Sequence, residues 1–362
     1  MAAKPLALED LEHILRETGS VWEQLRHQRI FITGGTGFFG CWLLESFCMA
    51  NCCHDLQAKA TVLTRDPAAF IAKAPHLAED PSITLLAGDV RSFQYPEGEF
   101  RFILHAATEA SVLQAQNQPL EMLSTIVDGT RHLLEFAEKS RAQKLLLTSS
   151  GAVYGVQPPE MTHMAEGFMG GPDPLDPVSV YGEGKRFAEQ MCIQYAARSG
   201  VECKVARCFA FVGPHLPLDG HFAIGNFIRN VMEGKPILIQ GDWRPMRSYL
   251  YAADLAVWLW TMLFEAAPAR AYNVGSEIDV SILDLAKETA MALGRPHNVQ
   301  VVVQPTDGPP IRRYVPDTKR AQRELGLRQH IGLAEAIRRT AKWHGFELGR
   351  FSYTNTSSKP RW

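Results

Sequence analysis

The sequence predicts an α/β protein: a doubly wound parallel sheet with helices on both faces, and a smaller C-terminal α/β lobe. Three observations carry that prediction. In the first half, short apolar runs with strand character alternate with stretches of helical periodicity across short turns. The first of these strands runs straight into a glycine-rich turn, GGTGFFG, that opens a helix. At 362 residues, the chain is long enough for one sheet-centred core or two intimate lobes.

Taken in order, residues 1–28 form an extra helical segment, with Leu8, Leu11, Ile14 and Leu15 on one face. Arg29–Thr33 is the first buried strand, and CWLLESFCMA is the helix after the glycine turn. Strands follow at Ala60–Thr64, Ile83–Leu86, Phe102–His105 and Lys144–Thr148, with helical patterns at Pro67–Ala74 and Leu120–Ser140 between them. After about residue 205 the alternation loosens. A strand at Lys204–Cys208 leads into the Gly/Pro-rich loop 213–220, helix 222–233 and strand Ile237–Ile239. Helices 252–265 and 281–293, strand Val299–Val303 and a closing helix, 332–344, complete the pattern. These later strands are too few for a sheet of their own. Residues 206–345 are therefore read as a smaller lobe interleaved with residues 29–205, and 346–362 as a polar tail.

Composition excludes several classes. A net charge of -2 leaves no basic footprint for nucleic acid or for an anionic membrane surface. The longest apolar runs, such as Leu255–Phe264, are far shorter than a bilayer span. Acids stand where a secretory signal would have its apolar core, which points to the cytoplasm. The seven cysteines form no CxxC pair and no zinc-like spacing with histidine, so reduced core thiols and no metal are expected.

The glycine turn is the first motif with chemistry. Gly34, Gly37 and Gly40 fit Gly-x-x-Gly-x-x-Gly, and with Phe38 and Phe39 they sit where a strand ends and a helix begins. There the backbone can approach a pyrophosphate, and the helix amides and dipole stabilise it. The second strand would offer an acid to a NAD ribose. Here it ends Thr64-Arg65-Asp66. If the acidic position falls on Thr64 it is missing, and Arg65 can clamp a 2′-phosphate; if it slips to Asp66, NAD remains open. NADP is preferred over NAD on that arginine. Asp89 and Val90 after the third strand, and His105-Ala106-Ala107 after the fourth, complete the expected cofactor wall.

The second motif is Tyr181-Gly182-Glu183-Gly184-Lys185, which puts Tyr181 and Lys185 on one helix face. A lysine ammonium near the phenol would lower its pKa toward a useful acid/base range. Ser150, in the hydroxyl-rich stretch TSSGAVYG that ends the fifth strand, can hydrogen-bond the same substrate oxygen. Together the three can remove an alcohol proton while a nicotinamide cofactor takes hydride.

With GGTGFFG, LTSSGAVYG, YGEGK, RCFAFVGP and GDWRPMRSYLYAADLA in place, roughly residues 28–345 resemble the extended short-chain dehydrogenase/reductase superfamily, in its nucleotide-sugar epimerase/dehydratase branch. The resemblance implies a Rossmann-like cofactor domain, a C-terminal lobe that binds a nucleoside-diphosphate sugar, and oxidation of the sugar, usually at C4. Carried over, Ser150 matches the family's Ser/Thr, Tyr181 its acid/base, and Lys185 the partner that also contacts the nicotinamide ribose. Arg247 matches the arginine on the diphosphate, and Asn226 lies in the segment that holds nucleotide and phosphate. A homodimer through Leu120–Ser140 and Ser179–Ala197 is also implied.

Departures from the family pattern shape the functional expectation. Dehydratases of this branch carry Asp-Glu after the catalytic Ser/Thr, and uronate decarboxylases commonly keep the glutamate; here the positions are Gly151 and Ala152. Ala210 replaces a usual asparagine, and Ile126 stands where many relatives have another. Glu183, Glu166 or Cys208 would have to supply any missing acid/base group. C4 epimerisation is preferred on these grounds, ahead of 4-ketosugar reduction with NADPH. A dehydratase or decarboxylase with relocated acid/base groups comes third, and a non-catalytic NAD(P)-binding sensor is the rival from another class.

Overall fold

The computed structural model describes residues 2–107, 116–220, 222–296, 299–302 and 311–347. Six strands in chain order, β1 (Arg29–Thr33), β2 (Lys59–Thr64), β3 (Ile83–Ala87), β4 (Phe102–His105), β5 (Lys144–Ser150) and β6 (Glu202–Cys208), join Ala271–Val274 in a seven-stranded sheet. Every pairing in it is parallel, and the order runs β3-β2-β1-β4-β5-β6 and then Ala271–Val274. The direction of winding reverses between β1 and β4. In an open α/β sheet that reversal opens a crevice beyond the carboxyl ends of the strands. β5 is buried over all but its first residue, as its unbroken apolar run requires of a central parallel strand. It runs two residues further than the periodicity suggested and carries Ser150 as its last residue.

The second half is woven into the first. β6 runs through the boundary drawn at residue 205, and the edge strand Ala271–Val274 comes from still later in the chain. Short strands Met246–Ser248, Asp279–Ser281 and Arg313–Tyr314 make a separate three-stranded sheet at the carboxyl side of the site. The helix Ala252–Glu265 is buried from Ala252 through Phe264, so it has no solvent face to turn polar.

That helix explains the N-terminal extension. Helix α1 (Leu8–Thr18) packs on it through most of the face the periodicity indicated, with Ile14 buried and Leu11 and Leu15 partly buried against the core. Leu8 is exposed, whereas Asp10, His13, Ile14 and Thr18 are buried. The buried polar groups are all paired. Tyr251 donates to Asp10 at 2.7 Å, and Arg339 reaches the same carboxylate at 2.6 Å. Burial raises the Asp10 pKa against the pull of those two partners.

His13 Nδ1 faces Arg16 at 2.9 Å and Nε2 faces Asp254 at 2.9 Å. Because Arg16 can only donate, Nδ1 must accept and Nε2 carries the proton toward Asp254. The His13–Asp254–His330 group is thus closed by hydrogen bonds. It clasps the extension to the C-terminal segment. Among the described residues no helix is long and apolar enough to cross a membrane. Residue 303 of the expected last strand, and residues 348–362 of the expected tail, lie outside the described residues.

Candidate active site

A cleft of about 1030 Å³ runs along the carboxyl ends of the strands, from the glycine loop to Ser150 and on to the small three-stranded sheet. At its first end Gly34 takes φ +71°, and a Cβ there would lie 2.4 Å from the Ala106 backbone. Only a residue without a side chain lets β1 turn away while β4 passes this closely. Gly37 follows as the N-cap of the helix α2 (Phe38–Cys53) and supplies no capping side chain, so the first-turn amides are left for a ligand. Gly40 does not line the cleft; it lets α2 pack onto Gly34 and Gly35. Phe38, Phe39, Arg65, Asp89, Val90, Ala106 and Ala107 all line the wall. The close-packed loop, open helix start and continuous cleft fit a dinucleotide.

Two details at this end differ from the sequence reading. His105 is not on the cleft wall. Its imidazole is buried between Thr33 at 2.7 Å and Thr130 at 3.0 Å, and burial pushes its pKa down to about 3, so it stays neutral. Thr33 Oγ1 also accepts from Ala107 N–H, so through Thr33 the histidine braces the backbone that the cofactor must pass. Asp66, the alternative ribose acid, caps the next helix by accepting from Ala69 N–H at 2.9 Å. Asp89 pairs with Arg91 at 2.7 Å, and that hydrogen bond holds its carboxyl below the usual range.

At the other end the three aliphatic hydroxyls of TSSGAVYG have three separate tasks. Thr148 donates to the His105 carbonyl at 3.1 Å. Ser149 donates to Glu189 at 2.5 Å, within a partly buried pairing of Glu189 with Arg207. All three residues line the cleft, and Ser150 Oγ accepts from Ala152 N–H at 3.1 Å to start a 3₁₀ turn over Gly151–Tyr154. Tyr181 and Lys185, on the helix Val180–Ser199, line the cleft beside it.

The expected tuning of Tyr181 by Lys185 is corrected by the geometry. Lys185 Nζ donates to the Thr148 carbonyl at 2.8 Å and stands 6.0 Å from the tyrosine ring centre. Burial pushes its own pKa down to about 8. Tyr181 is shifted upward, because burial outweighs the hydrogen bond with Ser150. As it stands, the phenol is an acid. Withdrawing an alcohol proton requires a positive charge brought to it.

The substrate end also differs. Asn226 does not line the cleft: its amide donates to the Gly220 carbonyl at 2.9 Å and accepts from Arg229 at 3.1 Å, which pins the 213–220 loop. Its helix neighbours Phe222, Ala223 and Ile224 face the cleft instead. Arg247 does line it. Tyr249, Phe209 and Tyr314, which sequence reasoning did not single out, line it too. Tyr314 reaches the site only because the strand Arg313–Tyr314 pairs with Met246–Ser248, placing it in register with Arg247.

The candidate replacement acids are elsewhere. Glu183 lies toward Arg186 on the outer helix face, and Glu166 accepts from Asn273 N–H at 2.9 Å. Cys208 lines the cleft, but burial pushes its thiol up to about 12. Among the described residues, the only carboxylates lining the cleft are Asp66 and Asp89, both at the glycine-loop end.

A Rossmann-like sheet with Ser, Tyr and Lys gathered at its carboxyl edge defines a nicotinamide-dependent enzyme. The chain belongs to the NAD dependent epimerase/dehydratase family, whose model matches residues 30–275. UDP-glucuronic acid decarboxylase 1 of Xenopus tropicalis is 29% identical over 334 residues, covering 92% of this chain and 76% of that protein. UDP-glucuronic acid decarboxylase 6 of Arabidopsis thaliana is 30% identical over 315 residues, covering 86% of this chain and 87% of that one. Among solved structures, UDP-glucose 4-epimerase of Thermotoga maritima with UDP-glucose superposes with TM-score 0.72 at 21% identity, over 88% of this chain and 99% of that chain. DesIV, the dTDP-glucose 4,6-dehydratase of Streptomyces venezuelae with NAD bound, gives TM-score 0.71 at 23% identity, over 88% and 97%.

Tyr181→Phe keeps the ring and removes only the ionisable hydroxyl. It is expected to leave NAD affinity within a few-fold and to lower turnover by about 10²-fold or more. Lys185→Met is expected to be similarly damaging. Turnover of Tyr181→Phe near that of the unaltered enzyme, by product assay, would remove the tyrosine from the mechanism.

Proposed function

We propose that the enzyme oxidises a nucleoside-diphosphate sugar at C4 with bound NAD and acts on a UDP-uronate, whose 4-ketone then loses CO₂. The observation that carries this is the cleft itself, with Ser150, Tyr181 and Lys185 at one end and, among the described residues, carboxylates only at the other. When bound, NAD supplies a hydride acceptor and a positively charged ring. Tyr181, flanked by that charge and Ser150, takes the C4 hydroxyl proton. Ser150 then holds the ketone oxygen, and Arg247 faces the diphosphate.

A uronate oxidised at C4 is a β-keto acid. Its carboxylate leaves as CO₂ with the ketone as electron sink, so the C–C cleavage needs no carboxylate from the protein. Gly151 and Ala152 are compatible with this step, though not with elimination of water, which requires its own acid and base. The relatives, UDP-glucuronic acid decarboxylases at 27–30% identity, move this reading from third place on the sequence to first.

C4 epimerisation, preferred on the sequence alone, is the second reading. Its support is the acid-free stretch Gly151-Ala152. The enzyme's seven free cysteines suit the reducing cytoplasm.

The hydride taken from C4 would return to the same carbon once CO₂ has left, so incubation of the NAD-loaded protein with UDP-glucuronic acid is expected to release CO₂ and yield a UDP-pentose with no net use of cofactor. Interconversion of UDP-glucose and UDP-galactose at unchanged mass, with no CO₂ from the uronate, would replace this reading with the second.

Binding of NADP as well as NAD is a separate proposal. It rests on Arg65 lining the cleft while the Asp66 carboxylate is occupied as a helix cap. Arg65→Ala is expected to weaken NADP(H) by about 1.5–3 kcal/mol, the scale of a charged hydrogen bond, with little change for NAD(H). Equal losses by calorimetric titration would assign the ribose to another group.

A homodimer is proposed through the helices Pro119–Lys139 and Val180–Ser199, where Leu120 is 78% and Phe187 53% exposed beside each other's hollow. Phe187→Asp is expected to shift the mass measured by light scattering from dimer to monomer. A monomeric unaltered protein would dispose of the idea.

A further inference from the structure

Decarboxylation leaves one proton transfer that Tyr181 does not perform. After CO₂ departs, the carbon next to the ketone carries the electron pair and must be protonated. The family pattern would look for an acid at position 151 or 152, and this chain has none there. The structure fills that place from a distant segment. A Cβ built on Gly151 would lie 2.8 Å from the Tyr314 hydroxyl and 2.8 Å from the Phe209 ring. The Tyr314 hydroxyl is 3.4 Å from Ser150 Oγ, across 164 residues of sequence. The Phe209 ring lies against Tyr314 with centres 4.7 Å apart, and strand pairing holds Tyr314 beside Arg247. Ser150 thus has a phenol on either side: Tyr181 from the helix and Tyr314 from the second lobe.

We propose that Tyr314 is the second proton-transfer group of this site, delivering a proton to C5 of the sugar after CO₂ has left. The proposal rests on the decarboxylation reading. The C5–C6 bond breaks, its electron pair moves into the C4–C5 enolate, and CO₂ departs. Ser150 and Tyr181 hold the enolate oxygen. C5 then takes the Tyr314 hydroxyl proton as the ketone re-forms, and the tyrosinate regains a proton from solvent. Burial pushes the Tyr314 phenol up to about 12, so the donor form is the one present before the step. Gly151 and Tyr314 are on this view one unit, since a side chain at 151 would displace the hydroxyl.

The test is turnover of UDP-glucuronic acid in heavy water by the NAD-loaded full chain and by Tyr314→Phe, following CO₂, products and the position of deuterium at C5. The unaltered enzyme is expected to place deuterium on one face of C5. Tyr314→Phe is expected to make UDP-pentose at least about tenfold more slowly. It should also place deuterium on both faces and release a larger share of 4-keto product per CO₂ evolved. A merely structural tyrosine would lower all rates without changing that partition. Single-face deuteration and an unchanged partition in Tyr314→Phe would overturn the role of Tyr314 and leave the decarboxylation reading standing. No CO₂ from the unaltered enzyme would overturn both. Should Tyr314→Phe fail to fold, Gly151→Ala, whose methyl group intrudes on the same hydroxyl, is read by the same partition.

Discussion

The close approach of Gly34 to Ala106 is the constraint on which the site depends. It brings the ends of β1 and β4 together at the point where the sheet reverses its winding, with no side chain between them. From that crossing follow the open start of α2, the neutral His105 brace beneath the Ala106-Ala107 backbone, and a cleft continuous with Ser150. A methyl group at position 34 would collide with the Ala106 carbonyl carbon and oxygen, and the positive φ there disfavours any side chain. The sheet supplies the frame, and this contact gives the frame its crevice.

The second half of the chain closes the cleft rather than adding a body beside it. Ala271–Val274 completes the large sheet, and the helix Ala252–Glu265 is buried from Ala252 through Phe264. That arrangement demands a cover, which α1 provides through paired polar groups as well as apolar ones. A buried carboxylate such as Asp10 is tolerable only with Tyr251 and Arg339 in place, so the extension is held in one register. The same interleaving carries Arg247, Tyr249 and Tyr314 to the far wall of the cleft.

The electrostatics of the two ends differ in kind. Near the glycine loop, Asp89 is paired with Arg91, and charges meet solvent. Near Ser150 the titratable groups are enclosed, and burial governs them: Lys185 is pushed down, Tyr181 and Tyr314 up. The lysine's proximity to the tyrosine, taken alone, suggested the opposite sign for Tyr181. What decides the sign is that the ammonium turns to the Thr148 carbonyl, leaving desolvation of the phenol as the larger effect.

Local sequence determined the strand and helix alternation, the glycine turn and the Tyr181/Lys185 pair, because each is written within a few residues at a fixed period. It also placed Ser150 correctly at the end of β5, since a buried parallel strand presents its last residues to the crevice. Asp66 and Asn226 were claimed locally, by the Ala69 N–H and the Gly220 carbonyl, where the chain turns into or beside a helix. The polar groups buried beside Ile14 on α1 and the inward turn of His105 were decided only by tertiary structure, because partners far along the chain claimed them. Tyr314 is the clearest instance. Nothing around it spells a site; it joins Ser150 only because a short strand pairs with Met246–Ser248 and Gly151 leaves the room, and no local pattern records such a long-range pairing.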